Sequence, residues 1–579
     1  MKLDYDPAGD QFHIELEDDQ HHGPEWQSLQ TVLDRSTMRT PANFLVAYQL
    51  ASQVPVDKRS RAAREKIAEL VSWRDRCKAA HGGLHIAEKN YFGFQSKNGR
   101  LIEEAGSAMI CDKTGLGKTR SVLNGLQSVP PPFLIVCPKK AMRVWQREIH
   151  AIDPKFKVLQ LRGLDKKQRT AALHPNTINI HDFVIINYDV IKDHSAYRAW
   201  APTFKDEKTG EPKWPGNPEM GELNFIDWQA VVFDEAHRIK DPTTIRTRAA
   251  MMLSNNARRR IAITATPVGN VLEDLWSQMH CVWPHELPSL TRFRERFFLT
   301  TPGHFGGVEI DDWSPRGRRE FEECFGWRMS RRDYHDADVK LDLQDFPEEL
   351  PEQHIDVPLS KREREAYEAL VDSWIQIDDE GNARILGSPL AAMQECRRQA
   401  CGMPVLNSDG EVIGLDMPSA KVKLLNEVIE DAACPTVVFT DHTAPLHLAV
   451  RYLTQKGHSV SYIDGSVPEP QRDAAIDNFQ HGLIDVLVAT IKTAGEAITL
   501  TNAGLLVYLE DTWSLLDKTQ SRGRVRRIGS ETSVPTLVLR AEDTVDMAVT
   551  AALVEKAGYL DGFRQDAASL ADVLRGREL

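Results

Sequence analysis

Residues 111–119 read CDKTGLGKT, between the apolar run SAMI and the helix-spaced segment RSVLNGLQ. No other string constrains the fold as strongly. A phosphate needs a cradle of backbone N–H groups and a positive end, and a glycine-rich turn that opens a helix supplies both. Such a turn must be delivered by a strand and closed by a helix, which commits the surrounding chain to α/β architecture. Thr114, Gly115 and Gly117 shape the turn. Lys118 is placed to reach the β- and γ-phosphates, and Thr119 to hold Mg²⁺ through its hydroxyl. Asp112 stands where the strict GxxxxGK[ST] pattern has glycine.

A second string completes the chemistry. QAVVFDEAHRIKD, residues 229–241, is an apolar strand that delivers two adjacent carboxylates at its C-terminal end. Asp234 suits Mg²⁺, directly or through water, and Glu235 suits the polarisation of an attacking water. Four letters such as DEAH recur by chance. After a phosphate loop they supply the other half of one Mg–ATP site.

The rest of the chain extends the α/β pattern. PFLIVCP and DFVIINY precede DEAH; VVFTD, SVSYID, IDVLVAT and LLVYLED follow in the C-terminal third. Amphipathic stretches such as KLLNEVIEDA lie between them. The alternation predicts parallel sheets with helices on both faces, in two blocks at 81–340 and 350–579. The acidic, proline-containing DADVKLDLQDFPEELPEQH connects them. Residues 1–80 differ in composition and read as a small accessory region, with a helix over about 57–80. A Pro-, Gly- and charge-rich stretch at 205–222 reads as a surface insertion.

Composition excludes other classes. The 579 residues carry a net charge of −13, with pI about 5.9, so nucleic-acid contact has to come from a local groove and not from bulk charge. Eight cysteines without a CxxC pair read as free thiols in a reducing compartment. No apolar run approaches the roughly 20 residues of a spanning helix, and no secretory signal opens the chain. The expected location is a bacterial or viral host cytoplasm, with no membrane contact.

Taken in order, the motifs resemble those of superfamily-two nucleic-acid motors, and more closely the Swi/Snf-type ATPases. FGFQ with Gln95, LIVCPKKAMRVWQREI at 134–149, VIINYDVI at 184–191, DEAH, and ITATPVGNVLEDLW at 263–276 with Thr264, Thr266 and Asn270 match the first half. TVVFTDHT at 436–443, DVLVATIKTAGEAITLTNAG at 485–504, similar to the family's motif V, and QSRGRVRRIGS at 520–530, similar to its motif VI, match the second. The departures are Thr499 where many members have asparagine, Ala494 and Glu496 where glycine and an apolar residue are common, Arg526 where histidine is frequent, and Ser530 where glutamine is frequent. The ITLT form is more similar to the annealing-helicase branch.

The resemblance implies two tandem RecA-like lobes and an ATP-dependent motor on double-stranded DNA. It implies that Gln95 reads adenine, that Gln520 lies at the nucleotide, and that Arg524 and Arg527 are arginine fingers supplied by the second lobe. On its own, RGRVRR would read as a solvated basic helix face. Lys139, Lys140, Arg238, Lys240, Lys492, Thr490 and the pair Arg331–Arg332 are the candidate backbone contacts. Competing readings are a strand-separating DNA or RNA helicase and the motor subunit of a restriction or repair complex. Residues 1–80 are the candidate surface for a protein partner.

Overall fold

Runs of β-branched and aromatic residues with no polar interruption make strands that are buried on both faces, as a parallel sheet covered by helices requires. The computed structural model shows two such sheets. It describes residues 2–15, 39–41, 43–83, 90–195, 204–205, 212–213, 221–268, 272–302, 308–344, 346–373, 375–377, 383–386, 389–408, 411–494, 498–528, 530, 532–551 and 553. His21 and His22, most of the 205–222 stretch, Asn270, Gly495 and Glu496 lie outside the described residues. The chain divides into two units, Met1–Asp342 and Leu343–Leu579.

The first unit begins with an antiparallel sheet of β1 (Lys2–Asp6), β2 (Gln11–Glu15) and β3 (Arg39–Pro41), followed by helices α1 (Phe44–Gln53) and α2 (Arg61–Gly82). The helix anticipated at 57–80 starts later. Val56–Lys58 forms a 3-10 turn, and the Ser60 hydroxyl then caps α2 by accepting from Ala63 N. Despite its charge, α2 is bound into the unit. Trp73 donates to Glu104 O at 3.2 Å and meets the Trp327 ring edge-on at 5.1 Å. Beside it, the buried Arg328 guanidinium is paired twice with Glu286, at 2.8 and 2.7 Å, and covered by Trp283 and Trp327.

The large sheet of this unit comprises β4 (Ala108–Ile110), β5 (Phe133–Cys137), β6 (Val158–Gln160), β7 (Phe183–Asn187), β8 (Ala230–Asp234), β9 (Arg259–Ile263) and β10 (Met329–Ser330). All neighbours are parallel, in the order β10-β4-β9-β8-β5-β7-β6. The helices that bear on the site are α3 (Gly93–Ala105), α4 (Lys118–Gly125), α5 (Ala141–Ile152) and α6 (Asp274–Val282). Helix α5 is amphipathic, burying Met142, Trp145 and Ile149 against the sheet. Helices α3 and α4 cross so closely that a Cβ on Gly99 would fall 1.7 Å from Asn124 Oδ1.

The second unit has a six-stranded parallel sheet of β11 (Glu352–Val357), β12 (Thr436–Thr440), β13 (Val460–Ile463), β14 (Val486–Thr490), β15 (Leu505–Tyr508) and β16 (Thr536–Ala541), ordered β11-β16-β15-β12-β14-β13. Its faces are covered by α7 (Ala420–Ala432), α8 (Thr443–Gln455), α9 (Glu469–Gln480) and α10 (Leu515–Val525). Val438, Val488 and Val507 lie in the core beneath α7 and α8, and Phe439, Leu487 and Leu506 in the opposite core with Phe479. Each such side chain taken from water contributes about 1.5–3 kcal/mol before entropy is counted. Both sheets thus have the architecture of tandem RecA-like lobes.

Candidate active site

In a parallel sheet, loops at the C-terminal strand ends converge on one edge, where ligands bind. The neighbouring strands β4, β9 and β8 end there in CDKTGLGKT, TATP and DEAH. The phosphate loop turns through Gly115 at φ 93° and Gly117 at φ 70°, left-handed values that favour glycine. Thr114 is held by its carbonyl, which accepts from Tyr334 Oη at 2.9 Å. Lys118 and Thr119 open α4, both half-buried. The Lys118 ammonium donates to Asp112 O at 2.8 Å and Lys113 O at 3.2 Å. Burial pushes its pKa down, while the charges of Glu235, Asp112 and Asp234 oppose that shift. Both DEAH carboxylates therefore lie within electrostatic reach of the phosphate-loop lysine.

Asp112, which interrupts the glycine pattern, has a structural task. Its buried carboxylate accepts from Asn98 Nδ2 at 2.7 Å, from Arg332 N at 2.8 Å and from the Ser330 hydroxyl. Arg332 completes the cluster, pairing with Asp338 at 2.9 Å and reaching Asn98 Oδ1 and Ser330 Oγ. This corrects the expectation for the 330s. Arg332 is 8% exposed, and Arg331 is paired with Glu322 at 2.8 Å. Arg332 braces the phosphate loop from inside and offers no charge to a nucleic acid.

Asp234 ends β8 with each carboxylate oxygen taking one donor. Trp145 Nε1 donates to Oδ2 at 2.8 Å, and Glu235 N donates to Oδ1 at 3.0 Å. A carboxylate oxygen has a second lone pair, so each retains an acceptor site. Burial, and then the Glu235 charge, push the Asp234 pKa up to about 6. Glu235 itself sits at φ 53°, a left-handed backbone unusual for a side-chain-bearing residue and characteristic of functional sites. His237 Nδ1 lies 3.3 Å from Glu235 Oε2. Gln95 is fully buried, its amide donating to Leu116 O at 3.1 Å and accepting from Phe92 N at 3.2 Å. Thr266 Oγ1 is buried without a partner among the described residues.

In the second unit the motif VI string does not form a solvated basic face. Lys518, Arg522 and Arg526 follow at i, i+4 and i+8 on α10 and its cap, and each meets the acidic segment before or in β11. Lys518 pairs with Glu352 at 2.9 Å and Asp511 at 2.6 Å, and Arg522 with Glu349 at 3.3 Å. Arg526 pairs with Glu349 at 3.2 Å and lies over the Phe346 ring. Gln520 and Arg524 are buried on the remaining faces. Arg527 Nη1 donates to Thr499 Oγ1 at 3.0 Å.

The nucleic-acid candidates separate by exposure. Lys139 and Lys492 are exposed, whereas Lys140 caps α5 and is half-buried. Arg143 and Arg147, which no motif marks, are exposed at successive turns beyond Lys139. Lys240 pairs with Asp274 of α6 at 3.1 Å, tying the DEAH turn to the segment after TATP. Thr490 is buried and donates to Thr493 Oγ1 at 2.8 Å, so its side chain supports motif V from within and does not meet a phosphate. All eight cysteines are unpaired. No helix among the described residues is long and apolar enough to cross a membrane.

Known proteins resemble this chain over most of its length. The SNF2-related domain matches residues 32–404, and the helicase conserved C-terminal domain matches 420–529. A Bacillus subtilis protein named as an ATP-dependent helicase/translocase is 25% identical over 475 residues, covering 79% of this chain and 46% of its own length. The ISWI chromatin-remodeling complex ATPase of Saccharomyces cerevisiae is 22% identical over 463 residues, covering 76% of this chain and 37% of its own. The chain thus spans less than half the length of these curated relatives. Among solved structures, the Sulfolobus solfataricus SWI2/SNF2 ATPase core in complex with dsDNA matches with TM-score 0.36 and 21% identity, over 79% of this chain and 89% of that one. By the family match across most of its length, the chain belongs to the SNF2-related family.

Proposed function

We propose that this protein is an ATP-dependent motor on double-stranded DNA. The observation that carries the reading is that the phosphate loop and the DEAH carboxylates end strands β4 and β8, on either side of β9, at one edge of one parallel sheet, with Glu235 and Asp234 within electrostatic reach of the Lys118 ammonium. The residues suit a nucleotide with Mg²⁺. Gly115 and Gly117 turn the loop into an N–H cradle, Thr119, Asp234 and Glu235 are hard oxygen donors, and the Thr266 hydroxyl is left to be satisfied. Lys118 would hold the β- and γ-phosphates, with Thr119 and Asp234 at the metal. A bound Mg²⁺ would neutralise charge on the phosphoryl oxygens. Glu235 would orient and deprotonate the attacking water. Gln95 would read adenine, Gln520 would lie at the nucleotide, and Arg524 and Arg527 would stabilise charge on the transferring group.

Lys139, Lys140 and Lys492 are the proposed phosphate-backbone contacts, and Lys240 is a contact that must share its charge with Asp274. Residues 1–80 remain the proposed surface for a protein partner, and the acidic balance supports a bacterial or viral host cytoplasm. The test is displacement of a triplex-forming strand from duplex DNA by the intact chain. ATP-dependent displacement that Lys118→Ala abolishes is expected. Unwinding of forked or RNA duplexes without triplex displacement would instead support a strand-separating helicase.

A further inference from the structure

Two of the family departures, Thr499 and Ser530, converge on one residue. Ser530 Oγ accepts from Arg527 N at 3.0 Å and donates to Val525 O at 3.0 Å, and Ser530 N donates to Arg527 O at 2.8 Å. These bonds close the turn after α10 and fix the Arg527 backbone. They act on the backbone, and the guanidinium lies at the far end of a long side chain. Thr499 Oγ1, 3.0 Å from Nη1, meets it there.

The Thr499 mount is itself rigid. Leu500 N donates to Arg524 O at 2.9 Å, so successive residues of motif V touch the two motif VI arginines in turn. Thr501 Oγ1 accepts from Gln480 Nε2 at 3.0 Å, and Asn502 N and Nδ2 donate to Gln480 Oε1 at 3.1 Å and Phe479 O at 2.8 Å. Helix α9 therefore holds the segment that holds the arginines. A threonine is stiff about χ1 and presents its hydroxyl close to the backbone, so it fixes a guanidinium at shorter reach than asparagine would.

We propose that Thr499 is a positioning residue that sets the Arg527 guanidinium for catalysis, with the Ser530 turn fixing its backbone. The proposal rests on the reading of Arg527 as a residue that stabilises the transferring phosphoryl group. Orientation of a charged group ahead of the reaction is where such sites gain rate, so its loss appears in kcat.

The experiment compares DNA-stimulated ATP turnover of the full chain with its variants R527A, T499V, T499S and the double T499V/R527A. Expected are a kcat loss of at least about 100-fold for R527A and of about tenfold for T499V, with KM for ATP little changed. T499S retains kcat within about twofold, because the hydroxyl is kept. In the R527A background T499V adds nothing. T499A carries the same prediction as T499V should the valine variant fail to fold. Full kcat in T499V, or an equal loss with and without Arg527, overturns the positioning role while leaving Arg527 itself in place. An R527A protein with unchanged turnover overturns both the proposal and the reading beneath it.

Discussion

Trp145 donates its indole N–H to Asp234 Oδ2 at 2.8 Å, although the two residues lie on different elements and 89 positions apart in the chain. The hydrogen bond favours the ionised carboxylate and fixes which oxygen faces away from the tryptophan. Groups that orient a ligating carboxylate typically matter 10–100-fold for metal affinity or activity. Trp145→Phe keeps most of the packing and removes the donor. The half-saturating Mg²⁺ concentration for ATP turnover is expected to rise about tenfold. An unchanged Mg²⁺ requirement in a folded variant would remove Trp145 from the site's machinery.

Asp234 should cost stability in return for its chemistry. Its carboxyl is raised to about 6, above the ordinary value of 3.8, so the folded state holds the proton more tightly than the unfolded chain does. Stability then falls as pH rises through this window, and the full cost is present above it. Asp234→Asn removes the charge. Without nucleotide or magnesium at pH 7.5, its melting temperature is expected to exceed that of the parent by a few degrees. The difference should shrink toward pH 4, while ATP turnover is lost. A less stable Asn variant at pH 7.5 would contradict the burial argument.

Much of this was legible beforehand, and the division has a physical basis. The phosphate loop and DEAH are local, because a turn needs glycine at left-handed positions and a strand end needs adjacent carboxylates. The motif VI arginines were legible only by resemblance, since a basic helix looks alike whether solvated or clamped. Arg332 was misread for the same reason. Its partners Asn98 and Asp112 lie more than 200 residues earlier, beyond any periodicity. The charge on α2 masked a packing role carried by Trp73, which becomes visible only when Trp327 and Arg328 are brought beside it.

The Asp112 cluster predicts a structural phenotype at a phosphate-loop position. Asp112→Asn would turn an amide N–H₂ toward a site ringed by donors from Asn98, Ser330 and Arg332. Breaking a buried charged network of this kind costs about 3 kcal/mol. Chemical denaturation should show that loss. A variant with parental stability would mean that the carboxylate is not needed to hold the loop.

In the second unit, Lys421 and Asp546 form a buried pair at 2.7 Å, with the lysine fully enclosed and its pKa raised by the Asp546 charge against the effect of burial. Asp546→Ala strands the ammonium and should destabilise the unit by about 3–5 kcal/mol. The double variant Lys421→Met, Asp546→Ala should recover most of that loss. Equal destabilisation in single and double variants would show that packing, not charge, holds the site.

The exposed lysines predict a signature in salt dependence. Lys139→Ala and Lys492→Ala should weaken duplex binding without regard to sequence, each reducing the slope of log affinity against log salt by about 1. Thr490→Val, which alters a buried side chain, should leave that slope unchanged. Titrations of labelled duplex at several salt concentrations decide between them.

The central claim is that the Lys118, Asp234 and Glu235 cluster hydrolyses ATP and that duplex DNA controls the rate. The most direct measurement is steady-state ATP turnover by the purified chain, alone and with double-stranded DNA, single-stranded DNA or RNA at low and moderate salt. Strong stimulation by duplex DNA, abolished by Lys118→Ala, is the expected result. Stimulation only by single strands or RNA, or turnover that survives Lys118→Ala, would contradict it.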